Sequence, residues 1–210
     1  MMLFNKRLGA LLFLAVFLLA GLVSQAQELP KVQEGDIIFQ TSRSAQSLAI
    51  QQATGSRYSH MGIILLSSGK PYVFEAAATV KYTPLSAWID RGERKHFVIK
   101  RLKNAGHSLT AQEQLRINKQ AQRFLGMPYD AQFSWSDDKM YCSELVWKIY
   151  DRALGIQIGK LQKVREFHLD TPAIKQKLHE RYGTQIPWNA AVISPKAMFE
   201  SPLLATVIAN

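Results

Sequence analysis

The sequence predicts an α+β fold in which helices pack on a small antiparallel sheet. Three observations predict it. Two aliphatic runs, 61–66 and 71–76, flank the turn-rich link Ser67-Ser68-Gly69-Lys70, the pattern of a β-hairpin. Helix-spaced segments with start and stop signals follow at 110–124, 141–153 and 171–182. No repeat, low-complexity tract or long linker divides the chain beyond its N-terminus, so one domain is expected.

The N-terminus reads as an address. Lys6 and Arg7 precede Leu8 to Val23, 16 residues without a charge, and Ser24-Gln25-Ala26 follows with small residues where a signal peptidase reads. A secretory signal over residues 1–26, cut after Ala26, is expected, with the folded domain at 27–210. The competing reading is an uncleaved anchor, but 16 residues fall short of the roughly 20 that a spanning helix needs. No Cys lies near the cut to carry a lipid. Of 210 residues 184 remain, enough for a core, and the formal charge falls from +10 to +8 because Lys6 and Arg7 leave.

The elements then follow in order. Gly35-Asp36-Ile37-Ile38-Phe39 reads as a short buried strand opened by a turn. Ala45, Leu48, Ala49 and Ala53 are helix-spaced with Gly55 as a stop, predicting a helix over 44–53. After the hairpin, Lys81-Tyr82-Thr83-Pro84 leads to a short helix at 85–90, and 96–102 reads as a third strand of the sheet. Thr110-Ala111-Gln112-Glu113 is a capping box whose helix runs to Phe124 and stops before Gly126 and Pro128. Residues 129–140 form a polar and aromatic loop. The helix 141–153 carries Leu145, Val146, Ile149 and Tyr150 on one stripe, with Gly155 as its stop. Thr171-Pro172 opens a last clear helix to Tyr182, and 195–199 reads as a helical turn.

Cys142 is the single cysteine. In an exported chain a lone Cys is either an inert buried residue or a reactive thiol. Its position in the first turn of a helix gives it free backbone amides and a partial positive charge, which stabilise a thiolate and an oxyanion. A base must come from elsewhere. Of the five histidines, His107, His168 and His179 lie in polar surroundings, and His96 opens a strand beside Lys95. None makes an HExxH or paired Cys/His spacing, so no metal site and no cofactor is expected. His60 stands where a loop enters a buried strand, fixed but reachable.

The hairpin supplies a geometric check. With Ser67 to Lys70 as the loop, Leu66 faces Pro71, Gly62 faces Glu75 and His60 faces Ala77. His60 and Glu75 then share one face as diagonal neighbours, roughly 7–8 Å apart at the backbone. Glu75 sits in an apolar stretch, where a carboxylate is costly unless paired. A slip of one residue would turn it away. On this geometry Cys142, open to a pocket, is a candidate nucleophile, His60 a candidate base and Glu75 a candidate orienter; an inert buried Cys142 and an edge-strand Glu75 in water stand beside that reading. Tyr141, Glu144 and Asp36 stand near enough in sequence to be considered, but each has a structural role of equal merit and none is assigned.

Five segments carry a resemblance: Gly35-Asp36-Ile37-Ile38-Phe39, Tyr58-Ser59-His60-Met61-Gly62, Tyr72-Val73-Phe74-Glu75-Ala76, Gly126-Met127-Pro128-Tyr129-Asp130 and Tyr141-Cys142-Ser143-Glu144-Leu145. In composition and order they resemble the YiiX family of permuted papain-like amidases, over nearly the whole chain. The resemblance implies a permuted papain-like catalytic domain at 27–210, in which base and orienter precede the nucleophile. It also implies the three roles for Cys142, His60 and Glu75.

The expected function is an exported cysteine hydrolase that cleaves an amide or ester of an envelope small molecule, peptide or lipid through an acyl-thioester. Two rivals stand beside it. One is an acyltransferase or lipid deacylase with the same three residues, which a dry apolar pocket beside Cys142 would favour. The other is an envelope-binding protein with an inert Cys142. The basic surface suits contact with an anionic surface or is simply solvated. No Lys/Arg block with interleaved aromatics points to nucleic acid.

Overall fold

The computed structural model describes residues 31–44, 46–103 and 109–210. The expected signal segment 1–26 and His107 lie outside the described residues.

Six strands form one antiparallel sheet: β1 (Ile37–Gln40), β2 (His60–Ser67), β3 (Lys70–Ala76), β4 (Val80–Pro84), β5 (Phe97–Leu102) and β8 (Leu204–Ala209), in the order β4-β3-β2-β1-β5-β8. A separate pair joins β6 (Gln162–Lys163) to β7 (Ala191–Val192). The helices are α1 (Ser47–Thr54), α2 (Leu85–Asp90), α3 (Ala111–Phe124), α4 (Cys142–Leu154), α5 (Pro172–Tyr182) and α6 (Pro195–Phe199). Among the described residues no helix is long and apolar enough to cross a membrane.

Strand alternation sorts the core into two layers. Ile37, Phe39, Met61, Ile63, Leu65, Phe74 and Ala76 face α3 and α4. Ile38, Ile64, Val73 and Ile99 face Leu85, Trp88 and Ile89 of α2. The stripe read on α4 is fully covered, with Leu145, Val146, Ile149 and Tyr150 at 0% exposure. Each such side chain contributes roughly 1.5–3 kcal/mol. This burial sets the roll of α4 and aims its N-terminus at the end of the sheet where β2 begins.

The hairpin pairs in the expected register, Leu66 with Pro71 and Ile63 with Phe74. Its last rungs need Gly62, because a Cβ there would stand 2.4 Å from Val73 Cγ1 and 2.8 Å from the Phe74 carbonyl. The capping box on α3 is present, Thr110 accepting from Glu113 N and Glu113 accepting from Thr110 N. Four strands differ from the sequence reading: the short pair β6 and β7, and the two sheet edges β4 and β8. Residues 81–84 are not a lead-in but part of β4, which pairs Tyr72 with Pro84 and Ala76 with Val80. Pro84 is tolerated because β4 is an edge. The C-terminal β8 extends the other edge beside β5.

Candidate active site

His60 is the first residue of β2 and Glu75 the penultimate residue of β3. Both project to the α2 face, and His60 Nε2 meets Glu75 Oε2 at 2.6 Å. The His60 ring stacks on Trp88 with centroids 5.9 Å apart and planes 24° from parallel. Glu75 is fully buried, and both of its oxygens have partners. Thr83 Oγ1 donates to Oε1 at 2.6 Å, Trp88 Nε1 donates to Oε2 at 3.0 Å, and Arg91 forms an ion pair with Oε2. Burial alone would raise the Glu75 pKa, but His60, Arg91 and Thr83 hold it down at about 2. It is therefore an anion in any physiological medium.

Cys142 is the first residue of α4, with Tyr141 as its N-cap in extended backbone. Its thiol lies near enough to the His60 ring to raise the pKa of that ring. Nε2 is held by Glu75, which leaves Nδ1 for the sulfur. Burial would push the His60 pKa down, but the Cys142 sulfur and the Glu75 carboxylate outweigh it and raise the pKa to about 9. An imidazolium is thus favoured at neutral pH. The thiol comes from the helical layer on one face of the sheet and the His60–Glu75 pair from the other. They meet only because His60 opens its strand, where the ring can reach past the sheet end.

Cys142 is only 3% exposed, and what opening it has is to a pocket. Its sulfur lies at the base of a pocket between α1, α5 and the start of α4, whose walls include Ala49, Ala53, Phe133 and Ile174. On the His60 side lies a second groove of mixed lining, where Gln40, Ser42, Arg43, Ser59 and Arg91 stand beside Ala76, Ala77 and Ala78. Tyr129 and Gln46 line both spaces and form the divide between them.

Tyr129 is one residue the sequence did not single out. Its backbone is pinned by the Tyr129 N–H donating to the Ala78 carbonyl at 3.1 Å, and its hydroxyl accepts from Gln46 Nε2 at 2.7 Å. Burial, followed by the charge on Cys142, raises its pKa far above the usual tyrosine value, so it keeps an O–H to donate beside the thiol. Thr83, Trp88 and Arg91 were also missed. They sit on β4, in α2 and just after α2, and nothing in their spacing announces a common carboxylate.

The other candidates are structural. Tyr141 is 1% exposed, and its hydroxyl accepts from Ile193 N at 3.1 Å. Glu144 accepts from Tyr141 N at 3.3 Å and pairs with Lys148 at 2.8 Å, while burial raises its pKa to about 7. Asp36 is held by Arg101 at 2.6 and 2.8 Å at the far end of β1, roughly 13 Å of strand from Gln40. His96 Nδ1 donates to the Asn210 carbonyl at 2.6 Å, and His168 and His179 are exposed.

Fold, order of elements and site define the class. The family described as permuted papain-like amidase enzyme, YaeF/YiiX, C92 family, matches residues 31–208, and the chain belongs to it. The chain is 49% identical over 192 residues to the uncharacterized protein YiiX of Escherichia coli (strain K12), covering 91% of this chain and 94% of that one. It also resembles a crystal structure described as metalloprotein yiiX from Escherichia coli O157:H7, with a TM-score of 0.81 and 51% identity over 85% of this chain and 97% of that one. Among the described residues no three His, Cys, Asp or Glu side chains converge to hold a metal ion. That donor set does not fit a resident metal, and no step is derived through one.

Proposed function

We propose that this chain is an exported cysteine hydrolase that cleaves an amide or ester of an envelope substrate through an acyl-thioester. The observation that carries the reading is the linked contact of Cys142, His60 and Glu75, with His60 raised to about 9 and Glu75 lowered to about 2. Cys142 acts as nucleophile, His60 as base and acid, and Glu75 as orienter. His60 Nδ1 holds the proton from the thiol, and the thiolate attacks the substrate carbonyl. Backbone N–H groups at the start of α4 donate to the oxyanion. The tetrahedral adduct collapses as His60 protonates the departing amine or alcohol. Water, deprotonated by the same nitrogen, then attacks the thioester and releases the acid and the thiolate. Throughout, Glu75 accepts from Nε2–H and keeps Nδ1 on the sulfur.

Alkylation tests this directly. At pH 6, iodoacetamide should modify Cys142 faster than a free model thiol, and His60→Ala should abolish the excess. A Cys142 that reacts no faster than the model thiol refutes the hydrolase reading and favours the binding-protein rival. Export rests on the N-terminal pattern, and predicts a mature chain beginning at Gln27 and recovered outside the cytoplasm. N-terminal sequencing that finds Met1 on membrane-bound material refutes it.

A second reading, lipid deacylation or acyl transfer through the same thioester, is favoured by the apolar walls of the pocket at Cys142. In acyl transfer an amine or alcohol takes the place of water.

A further inference from the structure

We infer that the groove on the His60 side is an anion site, and that the leaving half of the substrate carries a carboxylate or phosphate held there by Arg43 and Arg91. The inference rests on the thiol-hydrolase reading and names the charge of its leaving group.

The groove encloses about 790 Å3 of empty space, counting its open mouth, and among the described residues no Asp or Glu lines it. Arg43 stands exposed on its rim, and among the described residues no acidic side chain pairs with it. The Arg91 side chain is 38% exposed, meets Glu75 Oε2 and lies 3.4 Å from His60 Nε2. Both contacts use Nη2. A guanidinium presents its N–H donors as a planar fork, so Nε and Nη1 remain for an anion. Arg91 and the His60 imidazolium share the one Glu75 carboxylate, and Arg43 adds a further positive charge. α1 begins on the same rim, at Gln46, with no side chain capping its first amides and no acid in its first turn. Its positive end adds to the field.

The wall beside Arg91 is short of a partner. Gln40, which lines the groove, is 1% exposed, and neither its Oε1 nor its Nε2 is hydrogen-bonded among the described residues. It pairs with His60 across β1 and β2, and it shares the α2 face with Ile38, two residues before it. Its amide is pressed against the chain just after Arg91, where a Cβ on Gly92 would stand 2.2 Å from Oε1. Buried amides are ordinarily satisfied, so Nε2 is a donor that lacks its acceptor. An anionic oxygen is an acceptor, and it is what guanidinium groups and a donor amide recognise together. His60, the acid that protonates the leaving group, lines this same groove. The amine or alcohol therefore departs into it, and the groove reads the charge that this half carries.

Acetyl thioesters with leaving thiols of different charge test this: mercaptopropionate, mercaptoethyl phosphate, the neutral mercaptopropionamide and the cationic thiocholine. In each reaction the Cys142 thiolate bonds to the acetyl carbon, the bond to the leaving sulfur breaks, His60 protonates that sulfur, and water then releases acetate. The freed thiol is measured by chromatography against a Cys142→Ala blank. At low ionic strength, kcat/KM for at least one anionic thioester should exceed that for the amide by roughly tenfold or more. Whichever anion leads tells carboxylate from phosphate. Arg43→Gln, at an exposed position, should cut that ratio by a similar factor, and Arg43→Glu should turn the preference toward thiocholine. In Cys142→Ala, titration calorimetry should show the anionic thioester binding more tightly than the amide, and adding Arg43→Gln should remove the difference. Equal affinities there overturn the inference whatever the turnover. Equal rates with all the thioesters, or fastest release of thiocholine, overturn it while leaving the hydrolase reading intact. An anionic preference unmoved by both Arg43 variants overturns it too. No thiol release above the blank with any thioester, together with ordinary iodoacetamide reactivity, brings down the hydrolase reading and the inference with it.

Discussion

Glu75 Oε2 lies 2.6 Å from His60 Nε2, across a hairpin whose register is set by the turn at Ser68 and Gly69. Three further donors, from Thr83, Trp88 and Arg91, converge on the same carboxylate. The Glu75 carboxylate is thus fixed in position and in charge.

Glu75→Gln tests that arrangement. The amide keeps the shape but removes the charge that holds the His60 proton, and its NH2 opposes the Trp88 or Arg91 donors. Turnover should fall by roughly 10²–10⁴-fold. The pH 6 alkylation advantage of Cys142 should shrink in step. Stopped-flow alkylation and steady-state assays on the same preparation check both.

Stability should depend on pH in a defined way. His60 is raised to about 9 from 6.5, so its contribution is complete below about pH 6.5 and is lost as pH rises through about 9. Glu75 is lowered to about 2 from 4.5, so its contribution is complete above about pH 4.5 and is lost as pH falls through about 2. Between those limits neither contribution changes. Melting temperature measured from pH 4.5 to 10 should fall on the alkaline side, and His60→Gln should flatten that decline.

The sulfur raises His60, so removing it should lower that pKa. In Cys142→Ala the burial of the ring persists while its second partner is gone. The Hε1 resonance of His60, followed by NMR titration, should report a pKa below about 9. The variant should stay folded, within roughly 1 kcal/mol of the parent, and should give no turnover.

Gly62→Ala should be costly for its size. The new methyl would meet Val73 Cγ1 at 2.4 Å and the Phe74 carbonyl at 2.8 Å. Spreading the hairpin there costs roughly 1–3 kcal/mol and moves Glu75 relative to His60. Chemical denaturation should detect the loss, and turnover should fall more than the unfolded fraction explains.

Tyr129→Phe removes one O–H beside Cys142 and leaves Gln46 Nε2 without its acceptor. If the hydroxyl steadies charge at the reacting carbonyl, kcat/KM should fall by roughly 10²-fold, with the melting temperature little changed. An unchanged kcat/KM would assign Tyr129 to the wall between the two spaces and nothing more.

Much of this protein was legible in the chain because its signals are local. The hairpin register, the α3 capping box, the helix 85–90 and the Gly155 stop each depend on residues within a few positions of one another. Strand alternation and the turn then put His60 and Glu75 on one face before any packing is known. What only the tertiary structure decided is long-range. β4 and β8 are short edge strands whose pairing, not their composition, makes them strands. Thr83, Trp88 and Arg91 reach Glu75 because α2 folds back over the sheet, and no spacing encodes that. Cys142 was readable as a helix-start thiol. Its depth, its reach to His60 around the sheet end and the apolar pocket above it follow from how α4, α1 and α5 pack, since burial of whole faces, rather than any local preference, sets where those helices lie.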